Sequence, residues 1–291
     1  MRLYLCGVRG SRPAPGQPFV RYGGNTSCVA VSPDGGRPSL ILDAGTGITR
    51  VGSLLDGHPF VGTILLGHLH WDHTQGLPFF GAADKPDARV RMLIPAQGDS
   101  EKVLARAMSP PHFPVGPKEL RGDWTFGGAE PGTFDVEGLT VKALDIPHKG
   151  GRMLGYRISD GNATFTYMSD HWPIELGPGP EGYGAYHQAA LELADGADVL
   201  LHDAQYTPEE FAARRHFGHT TPEYAVGLAR EAGSKRLLLF HHEPSHSDDE
   251  LDTLAQRWAG EGERGGPAVE VAREDMVIDV GVSADGSGRR S

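Results

Sequence analysis

A layered α/β (α+β) domain is the fold this sequence predicts, and three features carry the prediction. Short apolar runs are punctuated throughout by glycine and proline, 41 and 22 of 291 residues, and read as strands. Strands come first and then alternate with helical patterns, the order expected of stacked layers. Hydrophobic residues make up 38% and charged residues 22%, as in ordinary globular proteins. The length suits one large domain or two small ones and is ample for a core; we read a single domain over 1–281.

In chain order, strands are expected at Leu3–Cys6, Cys28–Val31, Leu40–Leu42, Thr63–Leu66, Val90–Ile94, Leu139–Ala143, Gly155–Ile158, Thr164–Met168, Val199–Leu201, Arg236–Phe240 and Met276–Val280. Helical periodicity falls at Ser100–Met108, Gly184–Ala194, Pro222–Ala232 and Asp248–Trp258. Ser109 to Gly132, with Pro110, Pro111, Pro114 and Pro117 among aromatics, reads as an irregular loop bordering a site. Residues 282–291 read as a disordered tail.

The formal net charge of −11, with no cluster of Lys and Arg, disfavours extended nucleic acid as a partner. A metal site can nonetheless bind phosphate inside an acidic protein. Cys6 and Cys28 form no Cys-x-x-Cys and read as reduced core thiols of a cytoplasmic protein. The first seven residues are too short an apolar run for a signal peptide, and no stretch approaches 18 uninterrupted apolar residues, so neither secretion nor a membrane span is expected. A homodimer is compatible with the sequence, which does not fix the oligomeric state.

Fourteen histidines are the notable feature, and their placement decides what they do. The strongest signal is Gly67-His68-Leu69-His70-Trp71-Asp72-His73, which begins where an apolar run ends. Ligands collect beyond strand carboxyl ends in α/β sheets. His68 and His70, two apart, point the same way on extended backbone, while Asp72 and His73 can turn towards a second centre. Imidazole nitrogen and carboxylate oxygen are ligands zinc accepts. A polar turn rich in histidine by chance is the plainer alternative, and four ligand-type residues in six positions argue against it. The placement recurs: other apolar runs end at Asp43, at Ser169-Asp170-His171, at His202-Asp203 and at His241-His242.

With these residues in view the sequence resembles the metallo-β-lactamase superfamily, on the motif His68-x-His70-x-Asp72-His73. Pro147-His148 before Gly155-Tyr156-Arg157-Ile158, then Ser169-Asp170, then Gly218-His219-Thr220-Thr221 and His241, resemble its phosphodiesterase branch, which includes ribonuclease Z. The resemblance runs from the N-terminus to about Pro244. It implies a four-layer αββα sandwich with two metals at one edge. By resemblance His68, His70 and His148 hold one metal, Asp72, His73 and His241 the other, and Asp170 bridges them. Asp43 and the His202-Asp203 pair would orient ligands from behind.

Two departures matter. Ribonuclease Z of the usual kind carries a long tRNA-clasping arm between its third histidine and its bridging aspartate; here His148 and Asp170 stand 22 positions apart, which leaves no room for it. No third cluster of Cys and His matches the extra metal of some small phosphodiesterases in this branch. Of the remaining histidines, His171 reads as solvent-facing by default and His242 as structural or behind the ligands. His202 divides evenly between hydrogen bonding in the site and core packing. His58, His112, His187, His216 and His246 read as surface or loop residues. Arg9, Ser11 and Gly23-Gly24-Asn25-Thr26 are candidates to line the cleft, although a tight turn explains the glycines equally well.

The resemblance implies a dinuclear hydrolase, with zinc expected and manganese or iron also suited to the mixed ligand set. Two metals about 3.5–4 Å apart can hold a hydroxide that attacks phosphorus. The expected substrate is a small or cyclic phosphodiester, with Asp72 orienting the nucleophile and His219 protonating the leaving oxygen. Thr221 as a cap and Pro222 at the first helical position would place His219 beside a helix start that favours an anion. The alternatives are a metal-dependent thioester, lactone or lactam hydrolase, or a non-catalytic ligand-binding signalling module on the same fold.

Overall fold

The computed structural model describes residues 1–281; the tail expected at 282–291 lies outside the described residues. In order the strands are β1 (Arg2–Gly7), β2 (Cys28–Ser32), β3 (Leu40–Leu42), β4 (Val61–Leu65), β5 (Arg89–Pro95), β6 (Asp123–Ala129), β7 (Gly132–Val136), β8 (Leu139–Asp145), β9 (Leu154–Ser159), β10 (Thr164–Met168), β11 (Val199–Asp203), β12 (Arg236–Phe240), β13 (Ala268–Val271) and β14 (Val277–Asp279). The helices are α1 (Ile48–Leu54), α2 (Ser100–Ala105), α3 (Gln188–Ala194), α4 (Pro208–Arg214), α5 (Pro222–Glu231) and α6 (Asp248–Trp258).

Two seven-stranded mixed sheets result, ordered β14-β1-β2-β3-β4-β5-β6 and β13-β12-β11-β10-β9-β8-β7. In each, antiparallel pairing gives way to a parallel run: β3 to β6 in the first sheet and β10 to β13 in the second. The apolar faces explain the stacking. Leu5, Val29, Val31, Leu42 and Leu65 of the first sheet pack on Val141, Ile158, Phe165, Leu201 and Phe240 of the second. The outer face of the first sheet, with Ile41, Ile64 and Met92, is covered by Ile48 and Val51 of α1 and Leu104 of α2. The outer face of the second, with Met168, Leu200 and Leu239, is covered by α3, α5 and α6. Burying a strand on both faces makes it read as a continuous apolar run. The order is helix, sheet, sheet, helix, as the resemblance implies.

Three strands escape the sequence reading. β6 and β7 carry glycines, lie at the sheet edges and alternate only loosely in burial; β13 has a single buried residue. Ser109–Gly132 is therefore a loop only in its first half. α1 begins at Gly47 with no side-chain cap, which hides its start. α4 does carry a capping box, Thr207 with Glu210. Cys6 and Cys28 are buried free thiols, as expected. No helix among the described residues is long and apolar enough to cross a membrane.

Candidate metal centre

The parallel runs explain where the polar residues converge. β3, β4, β10 and β12 end at Leu42, Leu65, Met168 and Phe240, and Asp43, His68, Asp170 and His241 follow within three residues; β11 ends on Asp203 itself. His70 stays extended (φ −64°, ψ 156°), and a 3-10 turn over Trp71–His73 then carries Asp72 and His73 inwards. His241 and Asp43 both sit in the left-handed region, at φ 61°. Such conformations cost energy in non-glycine residues and persist where surrounding structure enforces them. Around His241 the enforcement is visible: Gly10 lies against its ring, where an added Cβ would stand 2.4 Å from Nδ1.

Two clusters form. Ligand atoms of His68, His70 and His148 lie within 4.8 Å of one another, and so do those of Asp72, His73, Asp170 and His241. All except His70 are buried to 9% exposure or less. The outward ring nitrogens are tied down. His73 Nδ1 donates to Asp43 Oδ2 (2.7 Å), His148 Nδ1 to the Gly218 carbonyl (2.8 Å) and His241 Nδ1 to Gln205 Oε1 (3.0 Å). Each bond fixes the tautomer that turns a lone pair inwards. Asp43 also accepts from Gly67 N, Tyr167 Oη and Ser169 Oγ, so its position is overdetermined. Gln205 in turn donates to Ser11 Oγ and Glu243 Oε2, which sets its amide orientation.

The inward atoms are crowded and unsatisfied. His241 Nε2 stands 3.3 Å from His73 Nε2. With both rings neutral and their protons turned outwards, lone pair would face lone pair; a second proton or a metal cation between them removes the conflict. Both nitrogens of His68 and both oxygens of Asp170 are buried without a hydrogen-bond partner. The closest nitrogen to Asp170, His73 Nε2 at 3.1 Å, can serve it only if the ring takes up a second proton. Orphaned buried polar atoms of this kind cost about 1–3 kcal/mol each, and divalent cations are what such a mixed imidazole and carboxylate set accepts.

The electrostatics agree. Burial would lower His73, but Asp72, Asp170 and Asp43 outweigh it and hold the imidazole well above the ordinary histidine range. Burial would raise the carboxyl of Asp72, but His73 and His241 keep it ionised. The field therefore attracts positive charge. On the other side burial pushes His148 down to about 4 and holds His68 well below the ordinary histidine range, which leaves both neutral and free to ligate.

Asp72 Oδ2 accepts from Ser11 N (2.7 Å) and lies 3.1 Å from His241 Nε2. His219 precedes α5, which starts as expected with Thr221 capping Tyr224 N and Pro222 in the first turn. Its Nδ1 donates to Asp203 Oδ2 (3.1 Å), and its ring stacks on His241 at 4.9 Å between centroids. A cavity of about 390 Å³ opens over the cluster, lined by Ser11, His70, Trp71, Asp72, Asp170 and His219 among others.

Several expectations need correction. His171 does not face solvent: it is fully buried, its amide donates to Asp203 Oδ2, and its ring joins a second histidine group. His171 Nδ1 lies 2.9 Å from His202 Nε2, and His171 Nε2 2.6 Å from His187 Nε2. His187 is thus no free surface residue; it also caps α3 by accepting from Ala190 N. His202 touches none of the clustered ligands, whereas Asp203 holds His219. Arg9 does not line the cleft. It is fully buried and clamps the carbonyls of Gly23, Glu243 and His246. His242 is structural, donating to the Ala272 carbonyl. Gln205, Tyr167 and Gly10 escape sequence reasoning, because nothing local marks an amide, a phenol or a missing side chain as facing a site.

Comparison with known proteins fits this geometry. A ribonuclease Z from Brevibacillus brevis is 38% identical over 93 residues, 32% of this chain and 29% of that protein. One from Haloarcula marismortui is 22% identical across 100% of this chain and 96% of its own length. The crystal structure of a diphosphatase of the PhnP family superposes with a TM-score of 0.68 at 17% identity, covering 96% of this chain and 97% of that one. The model of the beta-lactamase superfamily domain matches residues 40–242, spanning the strands that bear both clusters. The chain accordingly belongs to the beta-lactamase superfamily, with the metallo-β-lactamase fold.

Proposed function

We propose that this protein is a metal-dependent phosphodiesterase acting on small diesters. His68, His70 and His148 would hold one zinc ion and Asp72, His73 and His241 a second, with Asp170 shared between them. The observation that carries the reading is the set of inward, unpartnered atoms around Asp170, which two divalent cations would satisfy. Bound there, two divalent ions supply Lewis acidity and an activated water.

The chain's own residues do the rest. Asp43, Gly218 and Gln205 fix the ring tautomers. Asp72, held by Ser11 N, accepts a hydrogen bond from the attacking water and orients it. Asp203 keeps the His219 proton on Nδ1, so the ring's other nitrogen can exchange a proton with the leaving oxygen once it is protonated. Small substrates are supported by the short path from His148 to Asp170, which holds little beyond the β9–β10 hairpin. The net charge of −11 argues the same way. A relative named as a ribonuclease and a neighbour described as a diphosphatase both carry names of enzymes that break bonds to phosphorus.

The test compares turnover of bis-p-nitrophenyl phosphate with that of a thioester and a lactam, before and after chelation. Chelator-sensitive turnover of the phosphodiester alone is expected. Preference for the thioester or lactam, or indifference to chelation, overturns the reading, as does efficient 3′ processing of precursor tRNA.

A further inference from the structure

Beside the cavity over the metal cluster lies a second, larger one of about 800 Å³. Leu69 and Trp71 line both, so the two adjoin. The volume is in the range of small-molecule sites, about 300–1,000 Å³. Its rim is unusual for a solvent-facing surface: Trp71 is 74% exposed and Phe79 62% exposed. Phe113 meets Phe79 edge to face, with ring centroids 5.8 Å apart. The backbone at Trp71 is anchored on both sides, since His70 and Asp72 belong to the clustered ligands. Exposed aromatic surface at the lip of a polar centre marks a binding site.

We infer that this cleft takes the planar base of a nucleoside carried on one arm of the phosphodiester, stacked on Trp71 and Phe79. The inference rests on the phosphodiester reading above and names the class of substrate it serves. Three features favour a base over an acyl chain. The most exposed large hydrophobic side chains of the wall, Trp71 and Phe79, are aromatic, while the aliphatic Leu69, Val103, Leu104 and Met108 are buried or partly buried. Gln75 and His112 offer polar groups that a heterocycle's edge can use. Arg106 is the one charged side chain among the lining residues, so the cleft carries a cation and no carboxylate, which suits an anionic nucleotide. A single cation in a chain of net charge −11 gives no track for an extended polynucleotide backbone.

The experiment uses the metal-loaded protein and three diesters with the same leaving group: thymidine 5′-, methyl and decyl p-nitrophenyl phosphate. The thymidine ester is expected to be favoured over the methyl ester by about 10-fold or more in kcat/KM, mostly through KM, the size that base–aromatic stacking typically carries. Trp71→Ala and Phe79→Ala should bring that ratio to within about twofold, and Trp71→Phe should retain most of it. Both side chains are exposed, and equal metal content in parent and variants checks that the centre is intact. Equal rates on thymidine and methyl esters, or a ratio untouched by both alanine variants, overturn the cleft and leave the phosphodiesterase standing. A preference for the decyl ester overturns the base as occupant. No turnover of any of the three overturns the phosphodiesterase reading, and the cleft's role with it.

Discussion

Two histidine groups lie side by side in this protein, and they answer hydrogen-bond accounting in opposite ways. In the chain His187–His171–His202 every ring atom has a partner with all three rings neutral. His202 Nδ1 donates to the Asp203 carbonyl, His171 Nδ1 to His202 Nε2, and His187 Nε2 to His171 Nε2, while His187 Nδ1 accepts from Ala190 N. Nothing is missing. Around Asp170 the same accounting fails: His68 and Asp170 have no partners, and neutral His73 and His241 would turn lone pairs on each other. The difference teaches that buried histidines alone do not make a metal site. What points to one is a polar deficit that bound cations would remove.

The sharpest way to break this contrast is to compare metal content. The parent should carry close to two equivalents per chain. Asp170→Ala should lose most of both, and His68→Ala or His148→Ala most of one, with activity falling more than about 100-fold, since even partners behind the ligands are worth about 10–100-fold. His202→Phe should keep both metals and lose stability, about 1–3 kcal/mol for leaving the Asp203 carbonyl and His171 Nδ1 without partners. Elemental analysis and chemical denaturation read the two effects. Metal loss in His202→Phe equal to that in Asp170→Ala would show one site where we describe two.

His219 stands between the groups: it donates to Asp203, which also receives the His171 amide, and stacks on His241. As general acid its importance must depend on the leaving group. A sugar alkoxide leaves badly without a proton, whereas nitrophenolate leaves readily. General acid help is worth about 10²–10⁴-fold. His219→Ala should therefore lose that much on an alkyl diester and far less on a nitrophenyl diester, with metal content retained. Equal losses on both would make His219 a binding or structural residue.

The two groups also differ in how legible they were. Every proposed ligand but His148 follows an apolar run or stands in a dense motif, so position along the chain announces it; His148, five residues past the expected run Leu139–Ala143, is legible only through the resemblance. The strands that deliver the ligands read clearly for the same reason, being buried on both faces. The second group has no such signature. His171 reads as an afterthought to Asp170, and His187 and His202 acquire meaning only when α3 folds back over β10 and β11. Gln205 is invisible for a related reason: an amide two residues past Asp203 becomes an orienting group only because β12 brings His241 to it. Glycine-rich edge strands such as β6 and β7 were hidden because half-exposed residues leave the period of two poorly marked.

The smallest expected effect concerns protons, and His187 isolates it. Burial, with help from neighbouring His202, pushes this imidazole down to about 4, against about 6.5 for the free side chain. A folded value below the unfolded one means that, between about pH 4 and 6.5, the unfolded chain binds more protons than the folded one. Stability contributed by the neutral ring is then complete above about 6.5, and it declines as pH falls through that window. His187 is half-exposed, so solvent screens the effect and the slope should be well under one proton. Asparagine can replace it as the cap of α3, accepting from Ala190 N without titrating. Denaturation midpoints of the parent and His187→Asn, at matched metal content from pH 4 to 8, should therefore run parallel above about 6.5. Below it they should converge or cross, the parent losing stability faster. Parallel lines throughout would mean that His187 already shares its proton with solvent in the folded protein, and that the second histidine group is open where we describe it as closed.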